Sequence, residues 1–345
     1  MEKRILGRTG IEVGIIGLGT EHLEPTPENI DRVLAMAIEA GANYVDLLYT
    51  EPEYWEQYGA VYSRHRDQLV VAPHWWDLYD GDIEACHRGF QNILVKGCGG
   101  HAEVAMMTMI DKPEQWREWG LPSIEILQRM RESGQVEAIG MSSHSSGATL
   151  LALETGLIDV LMYGVNMVTH GEAQHAAVLD ACQRLDVGLV AMKPFWGGPL
   201  LTLDGRPTGI TPSQCLSYTL DQPVATTVPG VRNPEQMQAT LAYLGASPAE
   251  KDYAGALAGL RDTLRGHCTY CNHCMPCPEG IDVGQTILVV DWSGQGVNDE
   301  LRGMYAELPE PASSCVACGI CMDRCPFGVD VIAKMERAVE LFETN

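Results

Sequence analysis

Basic residues are scarce in this chain of 345 residues, which carries 23 lysines and arginines against 46 aspartates and glutamates. The formal net charge of −23 repels the phosphates of nucleic acids and the surfaces of anionic membranes. The sequence therefore predicts no nucleic-acid partner and no membrane partner. A basic redox partner protein would suit this charge, although an acidic surface that keeps the protein in solution is the simpler explanation.

Long apolar runs are also missing. No run in the sequence reaches the length that a membrane-spanning helix needs. The N-terminal residues 1–5 lack the apolar stretch of a secretory signal peptide. We therefore expect a cytoplasmic protein, in which free thiols stay reduced. The length exceeds what one hydrophobic core usually serves, so we expect two domains.

Cysteine, by contrast, is abundant, with twelve copies, eight of which form two runs near the C-terminus. The first run is Cys268, Cys271, Cys274 and Cys277, and the second is Cys315, Cys318, Cys321 and Cys325. Each run ends in a Cys-Pro pair, and the second has three residues before its last cysteine. That second spacing is typical of bacterial ferredoxins, which bind two [4Fe–4S] clusters and in which the fourth cysteine ligates the other cluster.

This pattern predicts a particular division of the eight cysteines between two [4Fe–4S] clusters. The first cluster takes Cys268, Cys271, Cys274 and Cys325, and the second takes Cys315, Cys318, Cys321 and Cys277. Zinc sites prefer two separated pairs of ligands, and disulfide frameworks occur in short secreted chains, so both alternatives fit less well. The other four cysteines stand at no ligand spacing and are expected to be buried reduced thiols: Cys86, Cys98, Cys182 and Cys215.

The region before the cysteines alternates between strand and helix patterns. After a hairpin over residues 4–13, strands are predicted near 14–19, 43–48, 68–74, 101–109, 136–143, 159–166, 188–194 and 225–229. Helices are predicted between them, and several strands are continuously apolar, as buried parallel strands are. Eight such units predict a (β/α)8 TIM barrel, with a doubly wound sheet as the alternative.

The predicted architecture is therefore a TIM barrel over residues 1–246, followed by a small two-cluster ferredoxin-like domain over 247–345. Residues 247–265 are expected to form one linking helix. The segment 279–314 between the cysteine runs shows little regular periodicity. A final helix is expected near 329–343.

Several motifs, in the right order over residues 4–245, resemble the aldo/keto reductase superfamily. They are Leu6-Gly7-Arg8-Thr9-Gly10, Gly17-Leu18-Gly19-Thr20, Ile139-Gly140-Met141-Ser142-Ser143, Met192-Lys193-Pro194 and Val228-Pro229-Gly230-Val231-Arg232-Asn233. The cysteine-rich extension resembles the ferredoxin-fused branch of that superfamily. The resemblance implies an oxidoreductase that acts on a small-molecule substrate at the carboxyl ends of the barrel strands.

The resemblance also implies NADP(H) as a cofactor and leaves flavin open. By resemblance, Ser142, Ser143 and Asn166 occupy the positions that hold the nicotinamide amide. Gly230, Arg232 and Asn233 match the loop and helix start that receive the adenosine phosphate. A helix start offers free N–H groups to an anion, and an arginine adds a fork of donors. Thr20 and Lys193, also at strand ends, complete the predicted cofactor-binding set.

The catalytic positions depart from the family's tetrad of Asp, Tyr, Lys and His. Asp46 keeps the aspartate, but Glu51, His74 and Thr108 replace the tyrosine, the lysine and the histidine. We expect Glu51 and His74 to form an acid–base pair beside Asp46, because histidine titrates near neutrality. A shifted loop would instead bring Tyr49 or Tyr54 into the place of the missing tyrosine.

Three functions follow from these patterns. The first is an oxidoreductase in which the clusters exchange electrons with chemistry at the barrel mouth. The second is an NADPH-dependent carbonyl reductase with structural or accessory clusters. The third is a non-catalytic redox relay or partner-binding protein. A mononuclear metal site on His74, His144 and Glu51 is a further, weaker possibility.

Overall fold

The chain divides into two compact units, Met1–Tyr253 and Ala254–Asn345. The computed structural model describes residues 1–48, 52–75 and 82–344, apart from the side chains of residues 52–55 and 295.

The first unit is a closed barrel of eight parallel strands. It begins with an antiparallel hairpin of β1 (Lys3–Ile5) and β2 (Glu12–Gly14). The barrel strands are β3 (Leu18–Gly19), β4 (Tyr44–Leu47), β5 (Val70–Trp75), β6 (Ala102–Met107), β7 (Val136–Ser143), β8 (Val160–Gly164), β9 (Gly188–Met192) and β12 (Thr226–Val228). Between β9 and β12, the strands β10 (Thr202–Leu203) and β11 (Arg206–Pro207) form a separate small hairpin. Bridges from Ile16 to Thr227 and from Gly19 to Gly230 close the sheet. The predicted (β/α)8 fold is confirmed, and the doubly wound sheet was wrong.

Helices follow the barrel strands, as the alternating pattern predicts. They are α1 (Pro27–Glu39), α2 (Pro52–Tyr62), α3 (Ile83–Gly97), α4 (Pro113–Gln115), α5 (Leu121–Glu132), α6 (Ser146–Leu153), α7 (Ala173–Leu185), α8 (Pro212–Leu220) and α9 (Pro234–Leu241). In α1, local signals explain where the helix begins. Thr26 caps it by accepting the Asn29 N–H at 3.3 Å, and Pro27 occupies the first helical position. None of the described helices is long and apolar enough to cross a membrane.

The barrel interior is filled by alternate residues of the strands, because side chains of a strand point to opposite faces of the sheet. This core contains Tyr44, Val70, Ala72, Val104, Met106, Ala138, Val160, Met162 and Val190, together with Leu6 and Val13 of the hairpin. Continuing the same alternation toward the carboxyl ends gives Asp46, His74, Thr108 and Ser142. The polar residues predicted for the site therefore follow the apolar core in the same inward-facing columns.

The described residues of the second unit form helices joined by loops, and most cysteines of the two runs lie in those loops. Its helices are α11 (Ala254–Thr263), α12 (Val283–Trp292), α13 (Asp299–Ala306), α14 (Ile320–Arg324) and α15 (Val331–Ala338), and α15 continues as a wider turn over Val339–Glu343. The predicted linking helix is instead two pieces, because the short helix α10 (Pro248–Lys251) ends where Asp252 adopts an extended conformation. The predicted final helix is present.

The segment between the cysteine runs is more regular than its sequence indicates, since it contains α12 and α13. Helix α12 buries residues on most of its faces, so its sequence is largely apolar and its helical period is weak. Its start could have been found from Asp282, whose carboxylate accepts the Gln285 N–H at 3.1 Å. Asn298 caps α13 in the same way through the Leu301 N–H at 2.8 Å.

Candidate active site and cysteine cavities

Three buried polar side chains meet at the carboxyl ends of β4, β5 and β6. His74 Nε2 lies 2.7 Å from Asp46 Oδ1, and His74 Nδ1 lies 3.0 Å from Thr108 Oγ1. All three residues are at least 94% buried. In a neutral imidazole, Nε2–H would donate to the Asp46 carboxylate, and Nδ1 would accept from the Thr108 hydroxyl. Each of these polar groups would then have a hydrogen-bond partner. The arrangement forms a continuous hydrogen-bonded chain through which a proton could pass.

Thr20 fixes the strand end that carries Asp46. Its hydroxyl donates to the Asp46 carbonyl at 2.6 Å and accepts the Leu48 N–H at 3.2 Å. Thr20 is completely buried, so it orders the backbone below the site.

Glu51 and Tyr49 lie outside the described residues, and so does the side chain of Tyr54. The predicted pair of Glu51 and His74 therefore stays a prediction. The contacts of the two histidines argue against the weaker hypothesis of a mononuclear metal site. Both ring nitrogens of His74 already have hydrogen-bond partners, and the ring nitrogens of His144 contact Asp111 and Lys193. A mononuclear metal on these two histidines would have to displace those contacts.

The residues predicted to hold a nicotinamide amide are buried and engaged with the backbone. Ser142 Oγ accepts the Met109 N–H at 2.9 Å. Ser143 points to the other face of β7 by the strand alternation, and its hydroxyl donates to the Ile110 carbonyl at 2.7 Å. Asn166 accepts the Val168 N–H at 3.0 Å and donates to the Lys193 carbonyl at 3.0 Å.

The loop before α9 holds the residues predicted for the adenosine phosphate. Asn233 caps this helix by accepting the Gln236 N–H at 3.0 Å, and the Gln236 side chain in turn accepts the Arg232 N–H at 2.8 Å. The Arg232 side chain is exposed, and Gly230 pairs with β3. Two N–H groups at this helix start are thus already used, whereas the guanidinium is available to a ligand.

A second polar chain lies at the same end of the barrel and includes a residue that the sequence did not single out. Asp111, which follows β6, contacts the ring of His144, and His144 contacts Lys193. Strand-end position was the signal that could have found Asp111, because carboxyl ends of barrel strands carry the chemistry of this fold.

In the second unit, the two sets of cysteines border two different cavities. The first cavity is lined by Cys268, Cys271, Cys274 and Cys325, together with Ile287, Phe327 and Val331. The second is lined by Cys277, Cys315, Cys318 and Cys321, with Cys274 also at its edge. This division follows the one that the bacterial ferredoxin spacing predicts, including the exchange of the last cysteine of each run.

The loops around these cavities have backbone features that suit a sulfur-bound cluster. Tyr270, Asn272 and Ala317 have positive φ angles of 56°, 60° and 52°, which turn the chain tightly between cysteines. The Tyr270 N–H donates to Cys268 Sγ at 3.4 Å and the Val329 N–H to Cys325 Sγ at 3.5 Å. Such N–H groups tune a cluster through its sulfurs, so the residues present fit [4Fe–4S] clusters.

The remaining four cysteines are buried in the barrel unit, as predicted: Cys86, Cys98, Cys182 and Cys215. Burial raises the pKa of Cys98, Cys182 and Cys215 to about 12, so these thiols stay protonated and inert.

Comparison with known proteins agrees with the barrel. The sequence model of the aldo/keto reductase family matches residues 11–214. An aldo-keto reductase of Bacillus halodurans in its holo form is 19% identical, with a TM-score of 0.63 over 74% of this chain and 96% of that one. A protein of Pseudomonas aeruginosa that its description places among the aldo-keto reductases is 21% identical, with a TM-score of 0.57 over 70% and 93%. These two likenesses show the fold alone, and a search of curated proteins finds no match.

Proposed function

We propose, from the premise that this chain belongs to the aldo/keto reductase family, that it is an iron–sulfur oxidoreductase with an altered catalytic tetrad. The family match covers more than half of the chain, and the protein is an oxidoreductase. The proposal adds that electron transfer through the cysteine-rich domain, residues 247–345, is coupled to redox chemistry on a small molecule at the mouth of the barrel domain, residues 1–246.

The division of eight cysteines between two cavities carries this proposal. Bound there, two [4Fe–4S] clusters would supply one-electron transfer at low potential. The protein's own contribution is to hold four thiolates around each cavity and to direct backbone N–H groups at their sulfurs. Apolar side chains such as Ile287 and Phe327 also line the first cavity.

At the barrel mouth, Asp46, His74 and Thr108 would move the proton that accompanies reduction. The buried Asp46 carboxylate orients the His74 ring, and the Thr108 hydroxyl lies at its second nitrogen. A histidine held in this way can act as a general acid or base. This arrangement replaces the tyrosine acid of the family, and Glu51 remains the predicted further acid beside it.

The proposal implies a cytoplasmic protein, where reducing conditions preserve the thiolates. It also allows a redox partner protein, and the net charge of −23 would favour a basic one.

Iron analysis of protein isolated without oxygen tests the cluster assignment directly. We expect about eight iron atoms per chain and a visible spectrum that bleaches with dithionite. Stoichiometric zinc without iron would contradict the proposal.

A second candidate is an NADPH-dependent carbonyl reductase, which the exposed guanidinium of Arg232 beside the start of α9 favours. The nicotinamide positions fit less well, because Ser142, Ser143 and Asn166 already bond to the backbone. Anaerobic calorimetry with NADPH, together with a search for released flavin, separates the candidates. Binding of neither, with clusters present but no turnover of any carbonyl compound, would favour the non-catalytic relay.

A further inference from the structure

Lys193 ends a hydrogen-bonded chain that the proton relay at His74 does not include. Its Nζ lies 2.9 Å from His144 Nε2, and His144 Nδ1 lies 3.1 Å from Asp111 Oδ2. The three residues follow three different barrel strands, β6, β7 and β9, so the fold brings them together from distant parts of the sequence. Lys193 and His144 are both exposed, which leaves the amine open to a small molecule.

The contacts of Asp111 determine which nitrogen of His144 carries the proton. Asp111 Oδ1 accepts the backbone N–H of His144 at 2.6 Å, which places the carboxylate against the ring. Because the carboxylate is only an acceptor, Nδ1 must be the donor at that contact. In the neutral ring, the Nε2 lone pair then faces the Lys193 ammonium and can accept a proton from it.

The charges around the chain support this proton transfer. Burial alone would raise the pKa of Asp111, but hydrogen bonds and charge from His144, with a hydroxyl contact from Ser143, lower it overall. Asp111 is therefore an anion that can stabilise a protonated His144. Although Lys193 is exposed, surrounding protein atoms displace enough water to lower its pKa, against the opposing carboxylates of Glu21 and Asp111.

The backbone holds Lys193 in an uncommon conformation. Its φ angle of 55° lies in the left-handed region, which a residue with a side chain seldom adopts. Asn166 Nδ2 donates to the Lys193 carbonyl at 3.0 Å and stabilises this conformation. Such conformations concentrate at functional sites, where they direct a side chain.

We infer that Lys193 is a nucleophilic amine that condenses with the carbonyl group of an aldehyde or ketone, with His144 as its base and Asp111 positioning His144. His144 Nε2 takes a proton from the ammonium, and the free amine forms a C–N bond to the carbonyl carbon while the C=O π bond breaks. The oxygen takes one proton from the attacking nitrogen and becomes a hydroxyl. The proton on His144 then returns to that hydroxyl, which leaves as water as the C–O bond breaks and gives the protonated C=N bond. No oxidant or reductant is consumed, so this activity is independent of the proposed cluster chemistry.

Reductive trapping with propanal and sodium cyanoborohydride tests the inference on the full chain, handled without oxygen. The chain has only six lysines, Lys3, Lys96, Lys112, Lys193, Lys251 and Lys334, so peptide mass spectrometry can follow each one. Lys112 is the matched internal control, because it is exposed and follows Asp111 in the same loop. We expect Lys193 to acquire the propyl group first. Labelling of Lys193 no faster than Lys112 would overturn the inference.

Variants separate the role of the base from a structural role. His144→Gln should slow labelling of Lys193 by about 10²-fold, the lower end of general-base catalysis, and leave Lys112 unchanged. Asp111→Asn should slow Lys193 in the same direction, and Asp111→Glu should restore part of the rate. Lys193→Arg should lose the adduct at this position. Circular dichroism confirms folding of each variant, and an unchanged Lys193 rate in folded His144→Gln would contradict the inference.

Discussion

The barrel site and the cysteine-rich unit assemble their functional groups in opposite ways. In the cysteine-rich unit the cysteines form two runs with two or three residues between neighbours, and short turns bring them around two cavities. In the barrel, Asp46, His74 and Thr108 come from three strands, and only the closed parallel sheet makes them neighbours.

This difference decides how each region should respond to substitution. Under the proposed cluster assignment, a cysteine ligand bonds to a group that organises the whole small unit, so its loss should affect that whole unit. A barrel residue is held by a large apolar core that persists without it, so its loss should cost a local contact.

The largest effect, on iron content, is expected from replacing the last cysteine of either run. If the proposed clusters are bound, Cys325→Ser should remove the one assigned to Cys268, Cys271 and Cys274, and Cys277→Ser should remove the other, each with a loss of about four irons. Cys182→Ala, which alters a buried barrel thiol, should keep all the iron. Iron analysis and electron paramagnetic resonance of the reduced protein would measure both losses. Equal iron contents in all three variants would contradict the expected difference between the cysteine-rich unit and the barrel.

His74→Ala should destabilise the barrel by about 3 kcal/mol, because it leaves the buried Asp46 carboxylate without its partner. Six of the seven tryptophans precede residue 254, so the fluorescence of denaturant unfolding reports mainly on the barrel. Iron content should not change. Loss of iron with unchanged barrel stability would be the opposite of what the comparison predicts.

The sequence predicted the fold well because its signals were local. Continuous apolar strands and capped helices such as α1 are encoded within a few residues, and the alternation of inward positions extends to Asp46 and His74. The spacing of the cysteines also predicts which of them line each of the two cavities, while their ligation of clusters stays a prediction.

Other features could not be predicted because they depend on tertiary contacts. Helix α12 is buried on most faces, so the helical period of its apolar residues is weak. The contact of His144 with Asp111 and Lys193 joins three loops, and no spacing in the sequence encodes it. The engagement of Ser143 with the Ile110 carbonyl likewise depends on the path of a neighbouring loop.

An intermediate effect is expected at the exposed loop before α9. If the barrel binds NADPH, Arg232→Ala should weaken binding by about 2 kcal/mol, the scale of a charge-assisted contact. Arg206→Ala, an exposed arginine on β11, serves as the matched control. Isothermal titration calorimetry gives both affinities. If titration of NADPH into wild-type protein gives no binding heat, the predicted phosphate site is wrong.

The smallest effect is expected from Thr108→Val, which keeps the shape of the side chain and removes one hydrogen bond to His74. Stability should fall by about 1 kcal/mol, less than in His74→Ala, because the Asp46 contact remains. The same fluorescence measurement applies. A loss as large as that of His74→Ala would mean that the chain of hydrogen bonds acts as one unit.

Single-turnover oxidation tests the coupling of the two regions most directly. Protein reduced with dithionite and freed of excess reductant is mixed without oxygen with a panel of small aldehydes, ketones and quinones, while cluster absorbance is followed in a stopped-flow instrument. The account predicts that at least one compound reoxidises wild-type protein, and that His74→Gln slows this step by about 10²-fold or more with iron content unchanged. Reoxidation at the wild-type rate in that variant would contradict a role for the barrel mouth in cluster-linked chemistry.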